Sequence, residues 1–462
     1  MNPLSILSSK GRQPSSSLKR QLVSLTVPIF IETLLIMTLG AVDTVMLSRH
    51  SDESVAAVGV VNQIVMLCFL VFEVINLGTS VLVSQYLGAR LNDRVGKVVG
   101  VSLLVNLAIG LLISSILYFK ASAILRLMGL DDVLLSEGVG YMRIVGAFAF
   151  FQALSLTASA ALRASNRAIY PMLVVGLVNL LNIFGNYVLI FGRFGAPALG
   201  VEGAAISTAA SRAIAMVILN VILFHTVLTR FPWEIFRRFP TRELSNLLKI
   251  GLPSAGEQFS YSSAQIIMTF FINMLGLEVL AARTYVVNIV MFGYLFCIAI
   301  SQGGAITIGH LVGKAKLQGA FIVGKYVLRW ALIITVSLSL AIAVSGRWIL
   351  SLLTDNPTII SIGATLLWLD VLVEIGRPVN IFATNALRAT GDVNYPFYVG
   401  LVAMWSLQVF GGYMLGIYFG LGIYALWLMI ASDEITRGII FIRRWWSMKW
   451  ADKSFVGKSI PS

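Results

Sequence analysis

The chain alternates from end to end between long apolar stretches and short polar or basic segments. An apolar stretch of about 20 residues lets a helix cross the hydrocarbon core of a bilayer. Such stretches occur at 22–48, 55–84, 97–119, 135–162, 171–192, 200–228, 246–275, 280–308, 319–345, 358–386, 395–417 and 422–442. The period-two alternation typical of membrane barrels is absent. The pattern therefore predicts an all-α integral membrane protein with twelve transmembrane helices, because helices satisfy their own backbone in lipid.

The composition supports this class and excludes others. Hydrophobic residues make up 58% of the 462 positions and charged residues only 12%, which is too apolar for a soluble or disordered chain. Two cysteines, Cys68 and Cys297, lie inside apolar stretches, so a disulfide scaffold is excluded. No P-loop, HExxH or GxSxG motif occurs. We therefore expect neither an enzyme nor a resident cofactor or metal.

The net charge of +13 reflects orientation in the membrane. Most Lys and Arg residues fall in the segments that lie on the same side as the N-terminus. This asymmetry predicts cytoplasmic tails at 1–21 and 443–462, and a cytoplasmic linker at 229–245. It also favours anionic lipid over nucleic acid as the partner of the basic segments. We expect a multi-pass protein of the cell (inner) membrane of a bacterium, and nothing requires more than a monomer.

The chain contains an internal repeat with an offset of 225 residues. Pro28 and Pro253 are each followed four residues later by a glutamate, Glu32 and Glu257. The string ALRASNRAIYP starts at residue 161, and ALRATGDVNYP starts at residue 386. Because each half has an even number of helices, the halves have the same orientation. The repeat predicts two pseudo-symmetric six-helix lobes, an N-lobe at 22–228 and a C-lobe at 246–442, with the substrate site between them.

Two carboxylates in the first predicted helix are candidates for ion coupling. Glu32 and Asp43 are eleven residues apart, which places them within about 20° of one helix face. No basic residue lies within a turn of either. An unpaired carboxylate in a low dielectric can bind a proton near neutral pH or be balanced by Na⁺. Either side chain can also stay neutral and hydrogen-bonded, which is the alternative to a coupling role.

Other polar residues within the predicted spans have structural alternatives. The spacing of Glu374 with Arg377, and of Asp433 and Glu434 with Arg437, favours ion pairs on one helix face. Asp370 is expected near water in the outer half of its helix. Asn182 and Asn186 share a face, and Thr208 lies in the following helix. Their oxygens are suitable ligands for Na⁺ or a proton-linked network, although paired asparagines also join helices.

Five strings, in this order and spacing, resemble the multidrug and toxic compound extrusion (MATE) family. They are PIFIETLLIMTLGAVDTVMLS, GTSVLVSQYLGA, ALRASNRAIYP, NIFGNYVLIFG and ALRATGDVNYP, and the resemblance covers about residues 20–445. It implies export of organic cations and other amphipathic compounds, driven by inward H⁺ or Na⁺, through a cleft between two six-helix lobes. It also implies an N-lobe cation site at Asp43, Asn182, Asn186, Thr208 and Tyr141. Some members have Asp where this chain has Asn186, so one carboxylate is missing here.

The C-lobe departs further from the family pattern. Glu257 is a candidate coupling carboxylate, although some members carry their glutamate four residues later. Where some members have an acidic residue eleven positions before the Arg of the LR string, this chain has Arg377, with Glu374 one turn earlier. We take Glu32, Glu374 and Arg377 as candidates for lining the substrate cleft.

The sequence favours a secondary active multidrug antiporter but leaves two alternatives. A flippase for lipid-linked or polysaccharide precursors would need a cation-rich cleft, for which Arg143, Arg212, Arg283 and Arg377 are available. A non-transporting membrane scaffold or enzyme is disfavoured by the duplication and by the intramembrane carboxylates.

Overall fold

The computed structural model describes residues 13–228 and 234–456, and every regular element in these ranges is a helix. The first half contains α1 (Ser16–Ser48), α2 (Asp52–Gly88), α3 (Asn92–Phe119), α4 (Ala121–Leu127), α5 (Asp132–Ala147), α6 (Ala149–Ala164), α7 (Ile169–Phe191) and α8 (Gly200–Thr226). The second contains α9 (Glu234–Arg237), α10 (Thr241–Met274), α11 (Leu277–Gly313), α12 (Leu317–Ser351), α13 (Pro357–Thr390), α14 (Asn394–Ala403) and α15 (Gly422–Trp446). After α14 the chain continues as π-helix over Met404–Gly411 and Tyr413–Tyr418.

The helices confirm the prediction of an all-α membrane protein. In the described ranges, nine helices are long and apolar enough to cross a membrane, or ten when α5 and α6 count as one. The predicted helix at 135–162 is in fact this pair, bent by 47°. The break occurs because Phe148 leaves the helical region, with φ −111° and ψ 19°. The helices α10 and α15 are too polar to be counted as membrane-spanning by apolar length. They nevertheless coincide with the seventh and twelfth predicted spans.

Local signals in the sequence set several helix boundaries. The side chain of Ser51 accepts a hydrogen bond from the Ser54 backbone at the start of α2, and Asp131 does the same for Leu134 at the start of α5. Asn356 caps α13, whose first residue is a proline. Gly391, with φ +99°, ends α13 in the left-handed conformation that glycine adopts without strain.

The described residues form two compact units. One is Val27–Gly251, and the other is Leu252 onward together with the described residues up to Thr26. Each unit has its own apolar core, around Tyr141 and Met142 in the first and around Phe321 and Trp445 in the second. These boundaries differ from the predicted lobes because the start of α1 and the start of α10 each belong to the unit formed mainly by the other half. Residues 229–233 of the predicted linker lie outside the described ranges.

Two glycines account for the placement of the starts of α1 and α10 in these units. In the unit Val27–Gly251, α10 crosses α2 so closely that a Cβ on Gly78 would lie 2.8 Å from the Leu247 carbonyl oxygen. In the other unit, a Cβ on Gly303 of α11 would lie 2.9 Å from Thr26 Oγ1 of α1. Gly78 and Gly303 are equivalent positions of the repeat. Small residues let helix backbones approach closely in a membrane, and the repeat uses the same device twice.

We expect Gly251→Ala to destabilise the protein by roughly 1–3 kcal/mol, the usual cost of overpacking. A Cβ at this position would overlap the Val74 carbonyl oxygen, so backbone must move. Gly59→Ala is the matched control, because nothing lies within 4 Å of its added Cβ and alanine favours the helix. The check is the thermal unfolding midpoint in detergent. Equal midpoints for the two variants would contradict the close crossing of α2 and α10.

Candidate functional site

Four polar residues of the predicted N-lobe site form one chain of hydrogen bonds within the unit Val27–Gly251. Asp43 Oδ1, near the end of α1, accepts a hydrogen bond from Asn186 Nδ2 at 2.7 Å. The same amide nitrogen donates to Asn182 Oδ1, one turn earlier on α7, at 3.0 Å. Asn182 Nδ2 donates to Thr208 Oγ1 on α8 at 3.3 Å. The chain of bonds therefore joins α1, α7 and α8.

Tyr141 places a side chain of α5 beside this chain of bonds. Its side chain is buried and lies close enough to interact with Thr208, Asp43 and Arg212. The register of α8 against α7 is fixed nearby, where Ser207 Oγ donates to the Asn182 carbonyl oxygen at 2.9 Å. Gly185 leaves the space that Ser207 occupies. All five residues that the resemblance assigned to this site thus lie together. We call Asp43, Tyr141, Asn182, Asn186 and Thr208 the Asp43 cluster.

One oxygen in the Asp43 cluster is available to accept a hydrogen bond. Asn186 Oδ1 is buried and has no hydrogen-bond partner among the described residues. A buried acceptor without a partner costs about 1–3 kcal/mol, so such atoms usually mark a place for a ligand or a proton. Asn186 Oδ1 and the Asp43 carboxylate are oxygen ligands of the kind that Na⁺ binds, and the carboxylate can instead bind a proton.

Arg212 also lies in this region, although the sequence indicated it only as a cleft cation of the flippase alternative. It lies one turn after Thr208 on α8, and its charge acts on both Asp43 and Tyr141. Within residues 13–228, no basic group lies within 4.0 Å of the Asp43 carboxylate, so the two charges attract without forming an ion pair. The guanidinium stacks over the Phe69 ring, 5.3 Å from its centroid. The spacing of four residues from Thr208 could have identified Arg212, because residues four apart lie on the same helix face.

The repeat conserves an ion pair that the spacing within single helices did not predict. Glu32 Oε1 lies 2.7 Å from Arg163 Nη1, and Glu257 Oε2 lies 2.7 Å from Arg388 Nη2. Both members of each pair occupy equivalent positions of the repeat. The expectation that Glu32 is unpaired is therefore wrong, because its partner comes 131 residues later in the chain. A cleft role for Glu32 and a coupling role for Glu257 stay predictions, now for paired carboxylates.

Near the first of these pairs, a second polar cluster joins α2, α3 and α6. Thr157 Oγ1 and Asn106 Nδ2 both donate to Asn76 Oδ1 at 3.0 Å, and Asn106 Nδ2 also donates to Thr157 at 2.7 Å. The Glu73 carboxylate lies near this cluster and is attracted by the charge of Arg163. These side-chain hydrogen bonds join three helices, and we assign them a structural role.

The ion pairs predicted on single helix faces of the C-terminal half are present. Arg437 binds Asp433 through two hydrogen bonds of 2.9 and 2.6 Å and lies 3.4 Å from Glu434. Asn380 Nδ2 donates to the other oxygen of Glu434 at 2.7 Å. All four side chains are buried. This group ties α15 to α13.

Glu374 and Arg377 form a second ion pair in this unit, one turn apart on α13. Asp370 lies one turn before Glu374 and has no exposed surface, so its predicted position near water is wrong. The reason is that position 370 falls on the same face as Glu374, which packs inside the unit. Both carboxylate oxygens of Asp370 lack a hydrogen-bond partner among the described residues. Whether Glu374 and Arg377 line a substrate cleft stays a prediction.

The Asp43 cluster has no copy in the second half. The repeat places Met268 where the first half has Asp43, and Gly411 where it has Asn186. Met268 is fully buried in an apolar core. Over residues 13–228 and 234–456, no group of three or more His, Cys, Asp or Glu side chains is arranged to hold a metal ion.

Comparisons with known sequences identify one family. The family profile described as MatE matches residues 28–188 and 253–414, one match in each half of the repeat. A Bacillus subtilis (strain 168) protein named "Uncharacterized transporter YisQ" is 40% identical over 94% of this chain and 95% of its own length. A Thermotoga maritima protein named "Probable multidrug resistance protein NorM" is 24% identical over 95% of this chain and 94% of its own length.

Solved structures have the same fold. The structure described as "Crystal structure of MATE in the bent conformation" superposes with a TM-score of 0.86 at 21% identity, covering 98% of each chain. A structure described as "Outward-facing conformation of a multidrug resistance MATE family transporter of the MOP superfamily" superposes with a TM-score of 0.84 at 20% identity, covering 95% of this chain and 99% of the other.

Proposed function

Because the chain belongs to the MATE family of membrane transporters, we propose that it exports organic cations or other amphipathic compounds in exchange for H⁺ or Na⁺. Its family consists of transporters rather than enzymes. The names of its relatives support multidrug efflux as the general activity. The exchange with an ion, the placement in the cell inner membrane, the cytoplasmic termini and the monomeric state are parts of the proposal.

The observation that carries the proposal is the Asp43 cluster. It holds an intramembrane carboxylate without an ion pair, beside a buried amide oxygen that has no partner among the described residues. A carboxylate placed in this way changes its charge when it binds a proton or Na⁺. Each change of charge alters what the carboxylate attracts, which is the property that an exchanger needs.

The exchange follows from this change of charge. Ionised Asp43 attracts a cationic substrate, and neutralisation by the incoming ion removes that attraction, so the substrate is released. The ion also changes the balance with Arg212, whose charge acts on Asp43 and on Tyr141. Because Asn186 links Asp43 to α7, neutralisation of the carboxylate changes how α1 packs on that helix. Pro28 inside α1 supplies a point at which this helix can bend.

Two of the four arginines that the flippase alternative would use act on carboxylates of their own unit. Arg377 is bound to Glu374, and Arg212 lies beside Asp43 and Tyr141. The charge of Arg377 is therefore balanced by Glu374, and the charge of Arg212 attracts Asp43.

Flux through purified protein in liposomes tests the proposal. A fluorescent organic cation is loaded, and a pH gradient and a Na⁺ gradient are imposed separately. We expect efflux under one of the gradients and no efflux without a gradient. No flux under either gradient, from protein that a thermal unfolding curve shows to be folded, would overturn the antiport proposal. Transfer of a lipid-linked precursor under those conditions would favour the flippase.

Asn186→Asp is expected to raise the affinity for Na⁺ by roughly tenfold or more, because a second carboxylate beside Asp43 attracts the cation more strongly. The measurement is the Na⁺ concentration that gives half-maximal efflux. Asn220→Asp is the matched control, since Asn220 lies on the neighbouring α8 and its amide donates only to the Met216 carbonyl in its own helix. An unchanged Na⁺ dependence in Asn186→Asp would remove Asn186 from the ion site.

A further inference from the structure

Lys325 and Arg329 form an exposed pair of cations on the membrane helix α12. They are one turn apart, and both side chains are exposed. Among the described residues, no carboxylate lies within 4.0 Å of either charge. Lys325 Nζ instead lies over the Phe321 ring, 4.8 Å from its centroid. The charge of this pair is therefore available to an anionic partner from outside the protein.

An apolar groove of about 460 Å³ runs beside this pair, between α12, α13 and α15. Apart from the two cations, its walls are Gly324 and apolar or aromatic side chains, among them Leu328, Leu332, Ile333, Phe382 and Ile442. Ile333 is 43% exposed and Trp446 is 46% exposed, so the groove opens on the outer surface of its unit. The groove is therefore apolar, and the charged groups that line it are both cations.

A second groove of about 330 Å³ is lined by the same two cations. It also contains Lys19, whose Nζ lies 5.5 Å from the centre of the Tyr326 ring. Trp330, which is 41% exposed, packs its ring edge against Tyr326. A third positive charge and two aromatic rings thus border the cation pair on this side. Aromatic residues of this type are enriched where a membrane meets water.

Both grooves lie at one end of the unit. Lys325 is eight residues after the start of α12, roughly 12 Å along the helix axis, and Trp446 is the last residue of α15. Because α12 has 35 residues, roughly 52 Å, and the hydrocarbon core is about 30 Å thick, a centred helix would place Lys325 near the edge of that core. The Lys and Arg asymmetry of the chain predicts that this end faces the cytoplasm, where a negative surface potential attracts basic groups.

We propose that the two grooves bind an anionic phospholipid of the cytoplasmic leaflet. The phosphodiester lies between Lys325 and Arg329, with Lys19 as a further cation, and an acyl chain occupies the apolar groove. Charge complementarity identifies the headgroup as anionic, and the apolar walls identify the rest of the ligand as a chain. The site is independent of the Asp43 cluster, so it does not depend on the proposed coupling ion.

Native mass spectrometry of the detergent-solubilised protein tests the site. The protein is mixed with equal amounts of phosphatidylglycerol and phosphatidylcholine, and the retained lipid is counted. We expect at least fivefold preference for phosphatidylglycerol in the wild type and in Lys314→Ala/Lys316→Ala. That control removes two exposed lysines from the loop before α12, outside both grooves. We expect Lys325→Ala/Arg329→Ala to lose the preference. Should this double variant fail to fold, Arg329→Ala alone is expected to lower the preference at least twofold.

Three results would overturn the proposal. One is equal retention of the two lipids by the wild type, which would show that the headgroup charge is not recognised. Another is an unchanged preference in the Lys325→Ala/Arg329→Ala variant. The third concerns the source of the phosphate. Inorganic phosphate or glycerol 3-phosphate that displaces phosphatidylglycerol at equal concentration would assign a free-anion site, because the acyl chain would then contribute nothing.

Discussion

Replacing Asp43 by asparagine is expected to reduce ion-driven export at least about 100-fold while the protein still folds. Asparagine has nearly the shape of aspartate and can still accept the hydrogen bond from Asn186, so the contact between α1 and α7 persists. It has no ionisable group, so it neither binds a proton nor balances Na⁺. Loss of a group that exchanges ions removes the driving force entirely, which is a larger effect than losing one hydrogen bond.

The measurement is efflux of a fluorescent cation from liposomes under the gradient that drives the wild type. Asp52→Asn is the matched control, because it makes the same chemical change at an exposed position at the start of α2 in the same unit. The control is expected to transport as the wild type does. Gradient-driven flux that survives in Asp43→Asn would move the coupling group to another carboxylate, with Glu257 and Glu32 as the candidates.

Replacing Arg437 by methionine is expected to destabilise the protein by about 3–5 kcal/mol, the cost of breaking a buried ion pair by removing one partner. Methionine keeps the length of the side chain but leaves Asp433 and Glu434 without their shared cation. Asp433 makes two hydrogen bonds to Arg437, and both carboxylates are buried. Of the ion pairs described above, this one has the smallest exposed fraction, 4% for Arg437 and 1% for Asp433.

The thermal unfolding midpoint in detergent measures this effect. Arg347→Met is the control, since Arg347 is an exposed residue of α12 in the same unit. Adding Asp433→Asn to Arg437→Met is expected to recover part of the loss, because one unpaired buried charge is then removed. A midpoint for Arg437→Met equal to that of the control would show that the pair contributes little to stability.

The hydropathy pattern and the internal repeat were sufficient to predict the fold. A membrane-spanning helix requires a minimum apolar length, and a duplication leaves a constant spacing between equivalent residues. The bend at Phe148 was not predicted, since the stretch at 135–162 is mainly apolar and contains no proline. The sequence also did not predict that the start of α10 belongs to the unit Val27–Gly251 and the start of α1 to the other unit. This arrangement depends on backbone approach at Gly78 and Gly303, which hydropathy does not report.

The candidate site was predicted in part. Single-helix spacing identified the Asn182–Asn186 face and the Arg437 pairs, because partners one turn apart are visible in the sequence. Partners that are distant along the chain were missed, as with Arg163 and Glu32. The repeat nevertheless contained a signal for this pair. The glutamate and the arginine are both duplicated at the same offset, as expected if they contact each other in both halves.

The two halves have diverged around a shared plan. Both keep the glutamate–arginine pair, but only the first half has the Asp43 cluster. At the equivalent of Asp43 the second half has Met268 in an apolar core, and apart from Glu257 the carboxylates within its predicted spans lie on α13 and α15. This asymmetry supports one coupling site, in the unit Val27–Gly251, and a mainly structural role for the Arg437 pairs.

The central claim is that Asp43 binds either the coupling ion or a cationic substrate, and the number of ions displaced by substrate tests it most directly. Calorimetric titration of the purified protein with a cationic substrate, repeated in buffers of different ionisation enthalpy and at different Na⁺ concentrations, gives that number. We predict roughly one ion released per substrate bound in the wild type and in Asp52→Asn, and none in Asp43→Asn, because binding of the two is reciprocally linked. Release of an ion that persists in Asp43→Asn, or no release in the wild type, would contradict the account.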